Sequence, residues 1–244
     1  MYRRKILAVL SAIPLLFFTS GITPIRKEEF FKEEGKNFPY YFSGRGMELM
    51  DSIHASYGEE YEKIRLRVGV TETSLPELTA DILPGGTPMM YSSRRDLVVI
   101  DTNKMFIFNG QIIFRPSLNH ELTHAAINHL SQEIGNGKWP TFSTEDVHHY
   151  TLTDYGTLFI SEGLADYIGK GIRNTKTDLY WPKSLEELAY SNPYLFGNNL
   201  ITPLLDEFGL SIIPIIITNT PKHREILNPK RWQDKIRELI LNQR

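Results

Sequence analysis

One short stretch of the chain combines residue types at a spacing that could bind a metal ion: His120-Glu121-Leu122-Thr123-His124. On an α-helix, residues four apart lie above one another on the same face, so both imidazoles can reach a single ion. Glu121 follows the first histidine directly and is placed to take a proton from a water that the ion activates. This spacing predicts a zinc site in a hydrolase and, among hydrolases, favours a peptidase.

The alternative is an exposed amphipathic helix that carries two histidines by chance. The chain has only 7 histidines among 244 residues, so a chance match is uncommon. The flanking sequence predicts a strand at Ile112-Ile113-Phe114, a break at Pro116 and a helix N-cap at Ser117. Apolar residues then recur at helical spacing, which predicts a largely buried helix in which an imidazole needs a partner: Leu118, Leu122, Ala125, Ala126, Ile127 and Leu130.

Catalytic zinc sites in proteins take three protein ligands, so a third must come from elsewhere in the chain. A third histidine six residues beyond His124 would fall at position 130, with glycine at position 127. Those positions hold Leu130 and Ile127, and His129 lies one residue away from the required place. The sequence therefore excludes a three-histidine arrangement of this kind.

A second candidate stretch supplies a better third ligand. Glu162 and Asp166 are four residues apart in a predicted helix and so face the same way. Glu162 is predicted to bind the metal, and Asp166 to accept a hydrogen bond from the outer ring nitrogen of a ligating histidine. Gly163 and Ala165 would allow two helices to approach closely. The alternatives are an ordinary solvated acidic pair, and a third ligand from His148 or His149 in a polar loop.

Composition limits the class of protein and of site. Hydrophobic residues make up 41% and charged residues 23% of the chain, as in a globular domain. A formal net charge of −2 gives no reason to expect nucleic acid as a partner. The chain has no cysteine, so disulfides and thiolate ligands are excluded. A metal must therefore be held by nitrogen and oxygen donors.

The N-terminus has the pattern of a targeting segment. Arg3-Arg4-Lys5 is a basic head, residues 6–18 are apolar, and Thr19 and Gly21 are small enough for a cleavage site. A signal peptide at 1–21 is favoured over an uncleaved membrane anchor, because the apolar run is short for a spanning helix. We therefore expect a mature protein outside the cytoplasm, secreted or tethered to the membrane, with 22–43 as a linker or arm.

The remaining residues, 44–244, are predicted to form one α+β domain, because strands come first and helices follow. Helices are predicted at 45–58, 155–170, 194–208 and 229–241, with a polar loop at 131–154. Strands are predicted at 64–70 and 97–100, and a hairpin at 106–114 around Asn109-Gly110.

The two metal motifs together resemble the gluzincin metallopeptidases, and most closely their single-domain, peptidase MA-like bacterial members. The matching residues are His120-Glu121-Leu122-Thr123-His124 and Glu162-Gly163-Leu164-Ala165-Asp166, with Tyr194-Leu195-Phe196-Gly197 as a further match. The resemblance covers about residues 45–210. It implies a zincin-like fold in which a small mixed sheet precedes the active-site helix, the glutamate-bearing helix and the C-terminal helices.

The resemblance also implies roles for single residues. His120, His124 and Glu162 would bind Zn²⁺, and Glu121 would be the general base. Tyr194 would stabilise the oxyanion, with Tyr167 and Tyr155 as weaker substitutes, and the substrate would pair with an edge strand at residues 85–91.

The activity expected from these roles is that of a zinc metalloendopeptidase acting on peptide or protein substrates. A zinc-stabilised binding module without catalysis, and an aminopeptidase, are the alternatives.

Overall fold

The computed structural model describes residues 44–80, 83, 88–101, 111–140, 150–173, 180–222 and 224–243. Within these ranges the fold is α+β, as predicted, and it is mostly helical. The helices are α1 (Gly44–Val68), α2 (Gln111–Glu133), α3 (Leu152–Leu164), α4 (Leu185–Ala189), α5 (Pro193–Phe208), α6 (Ile213–Thr218) and α7 (Pro229–Leu241). A π-helical turn (Ala165–Lys170) continues α3, and a 3₁₀ turn (Leu210–Ile212) precedes α6.

Three short strands form one mixed sheet: β1 (Glu77–Ala80), β2 (Met89–Ser92) and β3 (Leu97–Ile100). β3 lies in the middle, parallel to β1 and antiparallel to β2. The strand predicted at 97–100 is confirmed. Among the described strands β2 is at an edge, which agrees with the edge strand that the resemblance implied. Residues 85–87 of that stretch lie outside the described residues.

The predicted boundary of α1 is wrong. The helix continues through Gly58 to Val68, so the strand predicted at 64–70 does not form. The buried side chains of α1 recur at helical spacing, whereas Leu66 is 61% exposed. The buried set is Ile53, Tyr57, Tyr61, Ile64 and Val68. Alternating apolar residues over so short a run fit the buried face of a helix as well as a strand.

The start of α2 also differs from the prediction. The helix begins at Gln111 and contains Pro116, so residues 112–114 are helical and Ser117 is not an N-cap. The hairpin is therefore wrong in its second arm, while residues 106–110 lie outside the described residues. Proline removes only one backbone donor and is tolerated near a helix start better than in its middle. All six apolar residues predicted to be buried on α2 are buried.

The later helices agree with the predictions. α3 with its π-helical turn covers the helix predicted at 155–170. It begins earlier, because Thr151 and Asp154 form a capping box. α5 ends at Phe208 before Gly209, whose φ of 78° suits glycine. α7 has the predicted bounds, and Asn228 caps it.

Helix α2 lies at the centre of this arrangement. It packs against α1, against β2 and against the π-helical turn, while α5 packs along α3. Nearly every side of α2 is covered, which explains why polar residues such as Thr123 and Asn128 are as buried as its apolar ones. The centre of the molecule is therefore the helix that carries the two histidines of the motif.

The targeting segment predicted at 1–21 and the arm predicted at 22–43 lie outside the described residues. In the part that is described, no single helix is long and apolar enough to cross a membrane. α5 together with residues 210–218 meets that length and composition only as a pair bent by 117°.

Candidate metal centre

Three predicted ligands from two helices meet at one point. Nε2 of His120 lies 3.1 Å from Nε2 of His124 and 3.1 Å from Oε2 of Glu162. Nε2 of His124 lies 3.6 Å from the same Glu162 oxygen. One donor atom from each of the three residues lies within 4.8 Å of the other two, close enough to share one metal ion. We call His120, His124 and Glu162 the ligand triad.

The outer nitrogen of each histidine has a different partner. Nδ1 of His120 lies 3.0 Å from Oδ1 of Asp166, in the geometry of an ion pair rather than of a well-aligned hydrogen bond. Asp166 thus faces the outer nitrogen of His120 as predicted, without the well-aligned hydrogen bond that was expected. Nδ1 of His124 lies 2.9 Å from Oγ of Ser161. No sequence pattern marks Ser161 as a partner of His124, although Ser161 directly precedes Glu162. Both contacts leave Nε2 turned towards the triad, which is how metal-binding histidines are oriented in proteins.

The π-helical turn brings Asp166 and its neighbours against α2. A Cβ atom on Gly169 would lie 2.5 Å from the backbone oxygen of Asn119 and 2.7 Å from the backbone nitrogen of His120. Only glycine therefore allows the turn to lie directly on the α2 backbone beside the first histidine. One turn of π-helix inside an α-helix is often found at functional sites.

A second glycine contact holds α5 against the ligand-bearing helix. A Cβ on Gly163 would lie 2.4 Å from the carbonyl carbon of Gly197, and one on Gly197 would lie 2.1 Å from the backbone oxygen of Phe159. The close approach predicted for Gly163 is thus confirmed, and its partner is the glycine of the Tyr194–Gly197 match. Tyr194 lies on α5 three residues before Gly197, so this contact fixes the position of Tyr194 relative to Glu162.

The charges around the triad favour a cation. Burial would lower the pKa of His120, but Asp166 and Glu162 outweigh it and raise that pKa to about 9. Burial would raise the pKa of Glu162, but the two imidazoles hold it well below its usual value. The pKa of Asp166 is also low, because His120 and Lys170 outweigh the effect of burial. Positive charge at this point is therefore stabilised from two sides.

Glu121 lies beside the triad and is held by the sheet. Its Oε2 accepts a hydrogen bond of 2.8 Å from the backbone N–H of Tyr91 in β2. Burial raises the pKa of Glu121 above its usual value, while His120 and His124 oppose that rise. A carboxylate with a raised pKa next to a metal site is suited to exchanging a proton. The contact with Tyr91 joins residues 30 positions apart and was not predicted from the sequence.

Tyr194 is the tyrosine of the three candidates that lies next to the triad. The ring centroid of Tyr194 is 5.7 Å from that of His120, and Nζ of Lys170 lies 5.2 Å from the Tyr194 centroid. The negative charge of Glu162, then burial, raises the pKa of Tyr194, so its phenol keeps its proton. Tyr155 is instead buried against Phe159, and Tyr167 donates to Asp206.

The other histidines considered as ligands do not join the triad. His129 is buried and contacts Tyr61 and Asp96, so its side chain points away from the triad as predicted. His148 and His149 lie outside the described residues. The donor set of the triad is two imidazole nitrogens and one carboxylate oxygen, each histidine with a partner on its other nitrogen. Such a set fits a divalent metal ion.

Comparison of the chain with protein-family models, with curated proteins and with solved structures finds no match.

Proposed function

We propose that this protein is a zinc-dependent peptidase of the gluzincin type, which hydrolyses peptide bonds outside the cytoplasm. The observation that carries the proposal is that the ligand triad assembles with Glu121 directly beside it. Two histidines and a glutamate are the ligand set of several zinc hydrolases, and a site with three protein ligands leaves a position for water. The location outside the cytoplasm is supported by the basic and apolar pattern of residues 3–18.

Zinc held by His120, His124 and Glu162 would supply Lewis acidity, which lowers the pKa of a water to about 7 and polarises a carbonyl. The rest of the chemistry belongs to the chain. Glu121 would accept the proton of the attacking water and later give it to the leaving amine. Its raised pKa makes the first of these transfers easier, because the protonated carboxyl is less costly to form.

Tyr194 would donate its phenolic hydrogen to the developing oxyanion. Its pKa is raised, so the phenol remains a donor at neutral pH. Its ring lies against His120, on the α5 helix that the Gly163–Gly197 contact holds in place. A donor that is already oriented where negative charge develops is among the larger contributions to catalysis.

The first test compares full-length wild-type protein with Glu121→Gln. We expect both proteins to bind about one zinc per chain. The wild type should cleave a mixed peptide library, and Glu121→Gln should cleave it ~10²- to 10⁴-fold more slowly. Glu186→Gln, which removes an exposed carboxylate on α4, is the control and should cleave normally. Full turnover by Glu121→Gln would contradict the mechanism.

The same test separates the alternatives. A zinc-stabilised binding module would bind zinc and cleave nothing. An endopeptidase would cleave peptides with a blocked N-terminus, whereas an aminopeptidase would require a free amine.

Tyr194→Phe tests the proposed oxyanion donor. We expect kcat to fall by ~10²- to 10³-fold with zinc affinity unchanged, because the phenol is a donor to the transition state and not a ligand. Tyr190→Phe is the control, since Tyr190 lies four residues earlier and is 78% exposed. Equal kcat values for the two variants would remove Tyr194 from the mechanism.

A further inference from the structure

A polar network, buried except for the partly exposed Asp96, lies behind Glu121 on the side of the sheet. Oδ1 of Asp96 accepts hydrogen bonds from the phenol of Tyr91 (2.7 Å) and from Nε2 of His129 (2.9 Å). The side-chain amide of Asn128 donates to the same Tyr91 oxygen at 2.8 Å. Nδ1 of His129 in turn contacts the hydroxyl of Tyr61. The network thus joins α1, α2, β2 and the turn between β2 and β3.

Asp96 occupies the central place in this network through its backbone as well. Its φ is 52°, a left-handed conformation that aspartate adopts more easily than most residues. Its carbonyl accepts the N–H of Glu77 at 2.8 Å, which ties the turn to β1. One residue therefore sets the position of the turn relative to both β1 and α2.

The network reaches Glu121 through one residue, Tyr91. Its phenol is held by Asp96 and Asn128, and its backbone N–H donates to Oε2 of Glu121. The carbonyl of Pro88 accepts the N–H of Asp101 on the β3 side. Backbone groups of successive strand residues alternate in direction, so the N–H of Tyr91, three residues later, points away from β3. Asp96 and Asn128 thus hold the side chain of Tyr91, and its backbone amide in turn binds Glu121.

We propose that Asp96 is a positioning residue for Glu121: through Tyr91 it holds the backbone N–H that fixes one carboxylate oxygen and leaves the other for the reacting water. The expected effect on reaction rate rests on the proposed function. The structural connection from Asp96 through Tyr91 to Glu121 does not depend on that function. A misplacement of about 1 Å in a catalytic group can cost ~10²-fold in rate, so the link has a measurable consequence.

The experiment uses the full-length chain labelled with ¹⁵N-tyrosine, which yields signals from 12 tyrosines. The Tyr91 amide is identified as the signal that is lost in Tyr91→Phe. Asp96→Gly removes the side chain but tolerates the left-handed backbone, and Asp96→Asn keeps the carbonyl oxygen. Tyr57→Phe is the control, because it removes a buried phenol that donates to Pro76 outside the network.

We expect Asp96→Gly to speed exchange of the Tyr91 amide at least ~10-fold and to lower kcat ~10-fold, with KM and zinc affinity within ~2-fold of wild type. Asp96→Asn should restore most of both values, and Tyr57→Phe should change neither. An unchanged Tyr91 amide in Asp96→Gly, or an equal change in Tyr57→Phe, would overturn the proposal.

If the wild type binds zinc but cleaves nothing, the proposed function fails while the Tyr91 amide still decides the positioning role. Exchange of the Tyr91 amide that is faster in Asp96→Gly but not in Tyr57→Phe supports the positioning role. Exchange at the same rate in Asp96→Gly and wild type overturns it.

Discussion

His120 and His124 differ in the group that holds the outer ring nitrogen. His120 faces the carboxylate of Asp166, whereas His124 faces the hydroxyl of Ser161. A charged acceptor makes a stronger contact with an imidazole N–H than a neutral one and makes the ring a better metal ligand. Asp166 is itself contacted by Lys170 at 2.8 Å, which holds it in place.

Asp166→Asn should therefore weaken metal binding more than Ser161→Ala. We expect the zinc dissociation constant to rise ~10- to 100-fold in Asp166→Asn and by less in Ser161→Ala. Competition with a coloured chelator measures both, and Asp234→Asn, at an exposed position on α7, is the control. Equal losses in the two variants would show that the charge of Asp166 has no special role.

Asp96 also predicts a pH dependence of stability. Burial would raise its pKa, but His129 and Tyr91 hold that pKa below its ordinary value of 3.8. A carboxylate with a lowered pKa in the folded state stabilises the protein above its unfolded-state pKa, and that stability is lost as the pH falls through the folded-state value.

Wild type should thus be more stable than Asp96→Asn at pH 7, and the difference should shrink below about pH 4. Urea unfolding at several pH values measures it. A difference that grows on acidification would contradict the lowered pKa.

At the scale of elements, the site depends on how closely the π-helical turn lies on α2. Gly169 has no room for a side chain, because a Cβ atom would meet the Asn119 and His120 backbone. Gly58, in the middle of α1, has no atom within 4 Å of its Cβ position. The two glycines therefore serve as a matched pair, one at a contact and one in open space.

Gly169→Ala should destabilise the fold by about 1–3 kcal/mol, the usual cost of overpacking, and should weaken zinc binding because Asp166 moves with the turn. Gly58→Ala should stabilise α1 by about 0.5–1 kcal/mol, since alanine favours a helix interior, and should leave zinc binding unchanged. Thermal unfolding and chelator competition test both. Normal zinc affinity in a folded Gly169→Ala protein would show that the turn does not need this contact.

At the scale of the whole molecule, the triad joins helices that are distant in the chain. His120 and Glu162 are separated by 42 residues, and the π-helical turn and α5 complete the surroundings from further along. A ligand that binds the folded state alone stabilises it in proportion to the logarithm of its concentration over its dissociation constant. A metal bound across α2 and α3 is therefore expected to stabilise the fold as a whole.

Removal of the metal by a chelator should lower the melting temperature of the wild type. Free metal at 100 times its dissociation constant contributes about 2.7 kcal/mol, which the chelator would remove. His124→Ala, which lacks one ligand, should melt at the same temperature with and without chelator. An equal effect of the chelator on both proteins would show that it acts elsewhere than at the triad.

Much of the site was predictable from the sequence alone, because it depends on helical spacing. The i to i+4 relation of His120 to His124, and of Glu162 to Asp166, follows from backbone geometry whatever the surroundings. The burial of the apolar residues of α2 and the bounds of α7 also follow from local periodicity and caps. The cysteine-free composition restricted the donor atoms to nitrogen and oxygen.

The tertiary structure alone decided the rest. The short apolar runs at 64–70 and 112–114 were predicted to be strands. The first is helical as far as Val68, and the second belongs to the helix that begins at Gln111. Tertiary packing, and not local preference, decides the structure of such short runs. The contacts of Ser161 with His124 and of Tyr91 with Glu121 join residues 37 and 30 positions apart. No local pattern encodes such pairs, since they arise only where α2 packs against β2 and α3 in the folded chain.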